Sequence, residues 1–162
     1  MSRDVLVVVS AWEATNLLDL IEQFAALVEE PDDRDPAVAR LTPDPYPDDA
    51  EASAQFRDVA QSELLRRRAA DARTVLSGLR AVAPPASADP DAFVELTLDD
   101  DAVRAWMRTL AAVRLVLASR LGIVSEEDHD AEDPRFGVYD WIGYRLDALI
   151  HAAETHQGSE NT

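Results

Sequence analysis

The first apolar segment of the chain, VLVVV at residues 5 to 9, is short, continuous and rich in valine. Such a run predicts a buried strand. Ser10 and Glu13 follow it with the spacing of a capping box, which predicts the start of a helix. The helix has one apolar face at 3.6-residue spacing. This face consists of Ala14, Leu17, Leu18, Leu20, Ile21, Phe24, Ala25 and Val28.

A second strand and helix are predicted later in the chain. VELTL at 94 to 98 alternates apolar and polar residues, and DDD at 99 to 101 places acids where the helix dipole favours them. The helix that follows should end at Gly122. The two strand-helix units match at an offset of 89 residues, which fits either an ancient duplication or the general pattern of a strand feeding an amphipathic helix. We expect the two strands to form one small sheet.

The remaining segments are predicted to be mostly helical. Residues 31 to 49 hold five prolines and form a loop with a short helix at 37 to 41. A helix is expected from about Asp48 to Val82 with a break near residue 60, and another from about Gly137 to Ala153. The fold class is therefore mainly α, a single-domain helical bundle over residues 1–156 with a two-stranded β element near 5–9 and 94–98. Residues 157–162 are expected to be a polar tail.

Composition narrows the classes of function. The 162 residues fit one domain, and the absence of cysteine excludes disulfides, thiolate metal sites and thiol redox switches within this chain. A formal net charge of −17 disfavours binding to a phosphate backbone. The run at Val5 to Val9 is too short for a signal peptide or a membrane span, so we expect a soluble cytoplasmic protein with no membrane contact.

All 15 basic residues are arginines, and two of them fall on predicted apolar faces. Arg114 lies inside the apolar arc of the long helix, and Arg68 lies within the apolar stripe of the helix that precedes it. Unpaired charges there would be costly, so we expect structural ion pairs. On the same two helices, Arg120 lies at the edge of the arc, and four arginines project outward, namely Arg66, Arg67, Arg104 and Arg108. A nucleic-acid patch is the alternative interpretation of this cluster.

The last helix carries the acids that are expected to pair with these two arginines. Asp140 and Asp147 lie along a line beside its apolar face, and we expect them to pair with Arg114 and Arg68. Trp141 and Tyr144 lie on a second face. They belong to the core if the helix is sandwiched between others, and otherwise they mark a protein interface.

The sequence shows no pattern of a catalytic, cofactor or metal site. His151 and His156 are five positions apart, which separates them around a helix, and His129 lies in a predicted loop. The acidic loop at 125 to 134 lacks the glycine and the glutamate that an EF-hand requires. We therefore expect no enzymatic activity, no cofactor and a solvated acidic loop.

Three blocks of the sequence resemble a known family. They are residues 35 to 79 with the YPDD turn, the helix LTLDDDAVRAWMRTLAAVRLVLASRLG, and YDWIGYRLDALI at 139 to 150. This order is similar to the AosR-type family of actinobacteria, catalogued largely as a domain of unknown function and commonly encoded beside the adaptor ClpS. The resemblance implies a non-enzymatic role in transcription under oxidative stress. An Asn-Asp pair typical of the family is replaced here by Ala111 and Ala112.

Three functions are therefore considered. The leading hypothesis is a cytoplasmic regulatory protein that acts by binding another protein and has no thiol redox sensor. The resemblance implies that it acts in transcription or stress control. The sequence does not specify the partner or the oligomeric state. A direct DNA-binding regulator would require Arg66, Arg67, Arg104 and Arg108 to converge on one surface. An uncharacterised enzyme would require a deep pocket lined by Arg114, Arg68 and buried acids.

Overall fold

The β-branched run at the start of the chain forms a strand, as its pattern predicts. In the structure, a computed structural model that describes residues 4–43 and 48–158, β1 (Val5–Ser10) pairs antiparallel with β2 (Phe93–Leu98). The register aligns Val5 with Leu98 and Ser10 with Phe93. Val9 and Leu96 are buried on the inner face. The predicted two-stranded sheet is confirmed.

The two long helices that follow the strands begin where the sequence predicts, and the second also ends at the predicted glycine. In α1 (Ala11–Glu29), the Ser10 amide donates to Glu13 Oε2 at 2.9 Å and the Glu13 amide donates to Ser10 Oγ at 3.1 Å, which completes the capping box. In α5 (Asp100–Leu121), the side chain of Asp99 caps the first turn. Gly122 ends the helix with φ of 74°, a left-handed conformation that glycine adopts without steric cost.

The middle of the chain is helical with an irregular turn. The described helices are α2 (Pro36–Leu41), α3 (Ala50–Phe56) and α4 (Ser62–Ala81). The break predicted near residue 60 is a π-helical turn at Arg57–Gln61. The helix is wider at this turn but is not interrupted. The first two residues of the YPDD turn lie outside the described residues.

Helix α5 is the central element of the bundle. It packs against α2, α4 and the last helix, α6 (Gly137–Gly158), while α1 packs against α4. The shared core is closed by fully buried aliphatic side chains, among them Leu17, Ile21, Val75, Leu79, Leu110, Val113 and Ile142. Because α5 has neighbours on several sides, its buried surface is wider than one amphipathic stripe, and it also includes Ala105, Thr109, Ala112 and Ala118.

The last helix is longer than its sequence pattern indicates. Short 3₁₀ turns at Glu126–Asp128 and Pro134–Phe136 lead into α6, which continues to Gly158 instead of ending near Ala153. Gln157 and Gly158, predicted to begin the polar tail, therefore belong to the helix because no proline or left-handed residue interrupts it. Residues 1–3 and 159–162 lie outside the described part of the chain. The mainly α fold with a two-stranded sheet is confirmed.

Candidate functional site

The outer face of the sheet exposes large apolar side chains. Leu6 and Val8 on β1 and Phe93 on β2 point away from the core, and Phe93 is 84% exposed. The other positions of this face in β2 are Glu95 and Thr97, which lie opposite Val8 and Leu6. The outer face of such a sheet is ordinarily polar. Leu6, Val8 and Phe93 therefore leave apolar side chains open to solvent on a face that is ordinarily polar.

Aromatic side chains from α1 and α6 extend this apolar face. Trp12 is 57% exposed, and its ring centroid lies 5.9 Å from that of Trp141. Tyr144 is 66% exposed. The amide of Trp12 donates to the carbonyl of Pro90, which holds the segment before β2 beside the start of α1. We refer to the surface formed by Leu6, Val8, Trp12, Phe93, Trp141 and Tyr144 as the apolar surface.

The carboxylate of Glu13 joins the elements that form the apolar surface. Its Oε1 accepts hydrogen bonds from Trp141 Nε1 at 3.0 Å and from Arg145 Nε at 2.9 Å, and Arg145 Nη2 contacts the same oxygen. Its Oε2 accepts from the amide of Ser10. Arg145 also reaches the carbonyl of Val8 at 3.4 Å and lies beside the ring of Tyr144. One ion pair thus fixes β1, α1 and α6 together.

The environment of Glu13 stabilises its ionised form. Burial alone would raise the pKa of this carboxyl, but the hydrogen bonds from Arg145, the Ser10 amide and Trp141 outweigh burial and lower the pKa from 4.5 to about 2. The side chains of both Glu13 and Arg145 are largely shielded from solvent. Glu13 therefore remains charged throughout the neutral and mildly acidic range.

The two candidate interface residues lie in different environments. Trp141 is half-buried and held by Glu13 and Trp12, so it packs within the protein at one edge of the apolar surface. Tyr144 lies one turn further along the exposed face of α6 and presents most of its ring to solvent. Trp141 therefore packs within the protein, whereas the interface interpretation of Tyr144 stays a prediction.

The predicted ion pairs of Arg114 are corrected by the structure. Arg114 is half-buried as its helical position implies, but it forms no salt bridge with Asp140 or Asp147. Its guanidinium carbon lies 4.3 Å from the centroid of the Tyr139 ring, and its Nε is buried without a hydrogen-bond partner. The neighbouring α6 residue is Gly143, where an added Cβ would stand only 3.0 Å from that Nε. The glycine thus makes room for a guanidinium that stacks on an aromatic ring.

Neither does Arg68 pair with an acid of the last helix. It is half-buried, its Nη2 donates to the carbonyl of Leu41 at 3.4 Å, and its Nε has no partner. Of the predicted acids, Asp140 lies 2.6 Å from His129 Nε2, and Asp147 is exposed. The prediction is wrong because α4 and α6 lie against different sides of α5, which a helical wheel for each separate helix does not reveal.

The outward arginines are exposed, as predicted, and each is paired with an acid. Arg66 and Arg67 share Glu63 on their own helix, and Arg104 binds Asp101. Arg108 donates to both oxygens of Asp71, which raises the pKa of its guanidinium. Neutralised arginines offer little attraction to a phosphate backbone. These pairs weigh against the DNA-binding alternative.

Two further long-range contacts of the bundle are not predicted by the sequence. Arg120 donates to both oxygens of Asp35 at 2.6 and 2.7 Å, and Arg40 donates to the carbonyl of Ile123 at 2.6 Å. The hydrogen bonds from Arg120 lower the pKa of Asp35. The position of Asp35 before Pro36 indicates a helix cap, but nothing in the local sequence indicates its distant partner.

The histidines and the acidic loop do not assemble a metal site in the described part of the chain. Within it, no group of three or more His, Asp or Glu residues is placed to hold a metal ion. In the loop, the carboxylate of Asp128 instead accepts from the amides of Val124 and Ser125. Among the described helices, none combines the length and apolarity needed to cross a membrane.

Comparison with known proteins places the chain in a family. No curated protein and no solved structure matches it. A family match covers residues 1–153, which includes both strands, the apolar surface and most of α6. The chain belongs to the family described as "Domain of unknown function (DUF2017)".

Proposed function

We propose that this protein is a cytoplasmic, non-enzymatic regulatory protein that acts by binding another protein through the apolar surface. The observation that carries the proposal is the exposure of Leu6, Val8, Trp12, Phe93 and Tyr144 on elements that are joined by the β1–β2 pairing and by the contact of Arg145 with Glu13 and Val8. Tryptophan and tyrosine are enriched among the residues that dominate binding energy at interfaces. The half-buried Glu13 and Arg145 pair holds the surface in shape before a partner arrives, which reduces the entropy lost on binding.

Charge defines the chemistry of the partner. Glu95 lies within the outer face of the sheet, and the whole chain has a formal net charge of −17. The complementary surface is an apolar patch surrounded by lysine and arginine side chains, because opposite potentials steer the encounter of two proteins. The resemblance to the AosR-type family favours a partner from transcription or stress control. Since the chain has no cysteine, an oxidative signal would have to reach it through that partner.

Capture of partners from the native cell tests the proposal with matched variants. Phe93→Glu and Tyr144→Glu place charges on the apolar surface, and Val124→Glu places one at an equally exposed valine elsewhere. We expect the wild-type protein and Val124→Glu to capture the same protein under normal and oxidising conditions, and the two surface variants to lose it. Circular dichroism checks that all of them fold.

Three outcomes oppose the proposal. Equal capture by all variants would move the interface elsewhere, and an absence of specific capture would remove the support for a partner. If light scattering instead detects a dimer that Phe93→Glu dissociates, the occupant of the apolar surface is a second copy of this chain.

A further inference from the structure

A groove between α4 and α5 has the dimensions of a small-molecule site. Its volume is about 610 Å³, within the range of roughly 300 to 1,000 Å³ typical of ligand pockets. The described residues that line it are supplied by α1, α4 and α5, and none of them belongs to the apolar surface. The groove is therefore a candidate site separate from the proposed protein interface.

The groove is apolar along most of its wall. Phe24 reaches it from α1, and Leu64 and Leu115 line it from α4 and α5. The remaining apolar contacts are small, from Ala70, Ala111 and Ala112. Ala111 and Ala112 thus give the α5 side of the groove an apolar wall.

The charged groups of the groove are not all satisfied. Arg67, Arg68 and Arg108 line it, but Arg67 is paired with Glu63 and Arg108 with both oxygens of Asp71, so Arg68 is the guanidinium that lacks a carboxylate of its own. Among the described residues, Arg68 has one long hydrogen bond, to a carbonyl, and a buried Nε without a partner. Thr109 is 2% exposed, and its hydroxyl has no hydrogen-bond partner either.

A buried guanidinium without a carboxylate partner is energetically unfavourable. Burial lowers the pKa of Arg68, and the charge of Asp71 opposes that effect only in part. The planar fork of a guanidinium matches a carboxylate with two parallel hydrogen bonds. A ligand carboxylate in the groove would neutralise Arg68, and an apolar ligand body would cover the leucine and alanine wall.

We propose that the groove between α4 and α5 binds a small organic carboxylate with an apolar body, and that Arg68 is its counter-ion. An inorganic anion would leave the apolar wall uncovered, and an uncharged apolar molecule would leave Arg68 unpaired. The selection of an anion by a chain of net charge −17 requires a local site, because the overall field of the protein repels anions.

Calorimetric titration of the full chain with octanoate tests this site. Octanol has the same apolar body without the charge, and octylammonium has the opposite charge, which the overall field attracts. We expect octanoate to bind in a one-to-one ratio and at least about tenfold more tightly than either control, the amount expected from charged hydrogen bonds. Equal binding of the three probes, tighter binding of octylammonium, or no binding of octanoate would each overturn the proposal.

Variants assign the binding to the groove. Arg68→Met retains the apolar stem and should weaken octanoate binding by at least about tenfold. Its matched control is Arg73→Met, at an exposed arginine of the same helix that does not line the groove. Ala111→Phe fills the groove at an exposed position, leaves Arg68 in place, and should abolish binding.

Two outcomes would contradict this assignment. If octanoate binding is unchanged in Arg68→Met and Ala111→Phe, the carboxylate binds elsewhere and the assignment is refuted. Competition by inorganic phosphate at similar concentration would show an anion site without a role for the apolar wall, and would overturn the proposal as well.

Discussion

Glu13 performs two tasks with one carboxylate. One oxygen caps the first turn of α1 through the Ser10 amide, and the other accepts from Trp141 and Arg145 on α6. A capping residue is normally satisfied within its own helix. Here the same side chain also joins the first helix to the last, so its loss would loosen both contacts.

Glu13→Gln should lower the free energy of unfolding by about 1 to 3 kcal/mol, because it leaves the half-buried Arg145 without its counter-charge. Urea denaturation followed by tryptophan fluorescence measures the change. Glu22→Gln is the control, since Glu22 forms an exposed pair with Arg80, and it should cost less than about 1 kcal/mol. A cost for Glu13→Gln no larger than that of the control would contradict this role.

The pH dependence of this difference has a defined sign. Because the pKa of Glu13 is lowered from 4.5 to about 2 in the folded protein, its stabilising contribution is complete above the ordinary value and is lost as the pH falls toward 2. The difference in unfolding free energy between the wild type and Glu13→Gln should therefore shrink between about pH 5 and pH 2. A difference that stays constant over this range would show that the charge of Glu13 is not involved.

The contacts of Arg114 predict a smaller loss of stability on truncation than its position on the helical wheel does. An arginine paired with a buried acid would cost about 3 to 5 kcal/mol when truncated, but Arg114 stacks on Tyr139 and pairs with no acid among the described residues. A double-mutant cycle of Arg114→Met and Tyr139→Leu should give a coupling free energy of about 0.5 to 2 kcal/mol. Strictly additive effects in urea denaturation would show that the contact contributes nothing.

The packing of α2 against α5 illustrates how one element is held by another. The six-residue helix α2 is too short to be stable alone, and it buries Ala37, Val38 and Leu41. Asp35 both caps this helix and binds Arg120 of α5 through its two oxygens. At the other end of α2, Arg40 donates to the carbonyl of Ile123. The short helix is thus bound to α5 at one end and to the segment that follows α5 at the other.

Asp35→Ala should destabilise the protein by about 1 to 3 kcal/mol, since it removes a helix cap together with a two-oxygen ion pair. Asp35→Asn retains a capping oxygen and should recover the part of the loss that is due to the cap. Chemical denaturation of the two variants and of Arg120→Ala measures these contributions. If Asp35→Asn were as destabilised as Asp35→Ala, the ion pair alone would account for the effect.

Local elements could be predicted from the sequence, whereas contacts between them could not. The capping box at Ser10, the left-handed Gly122 and the inner valines of β1 are determined by residues within a few positions of one another. Arg145 lies 132 positions from Glu13, and Arg120 lies 85 positions from Asp35. Helical wheels place an arginine on a face, but its partner depends on which helix covers that face. The pairing of Arg68 and Arg114 was therefore predicted incorrectly.

At the scale of the whole molecule, repulsion among acids opposes folding. The chain has 32 acidic and 15 basic residues, so many carboxylates have no cation to pair with. Compaction brings these charges together, and added salt screens them. The exposed ion pairs are screened too, but each contributes little.

We therefore expect the free energy of unfolding to rise between about 10 mM and 0.3 M sodium chloride, as the screening length falls from about 30 Å to well under 10 Å. Urea denaturation at several salt concentrations measures the slope. A variant with Glu126→Gln and Glu127→Gln removes two exposed acids and should show a smaller slope. A stability that decreases with salt would mean that the ion pairs outweigh the repulsion.

The assembly of the sheet has a consequence for the order of events during synthesis. Val5 pairs with Leu98, and the Arg145 side chain from α6 completes the contact with β1. Pairing over such long separations closes large loops and is slow compared with the formation of helices. A chain emerging from the ribosome therefore cannot display the apolar surface until translation has passed α6. A partner that binds the proposed surface would thus distinguish nascent chains that already include α6 from shorter ones.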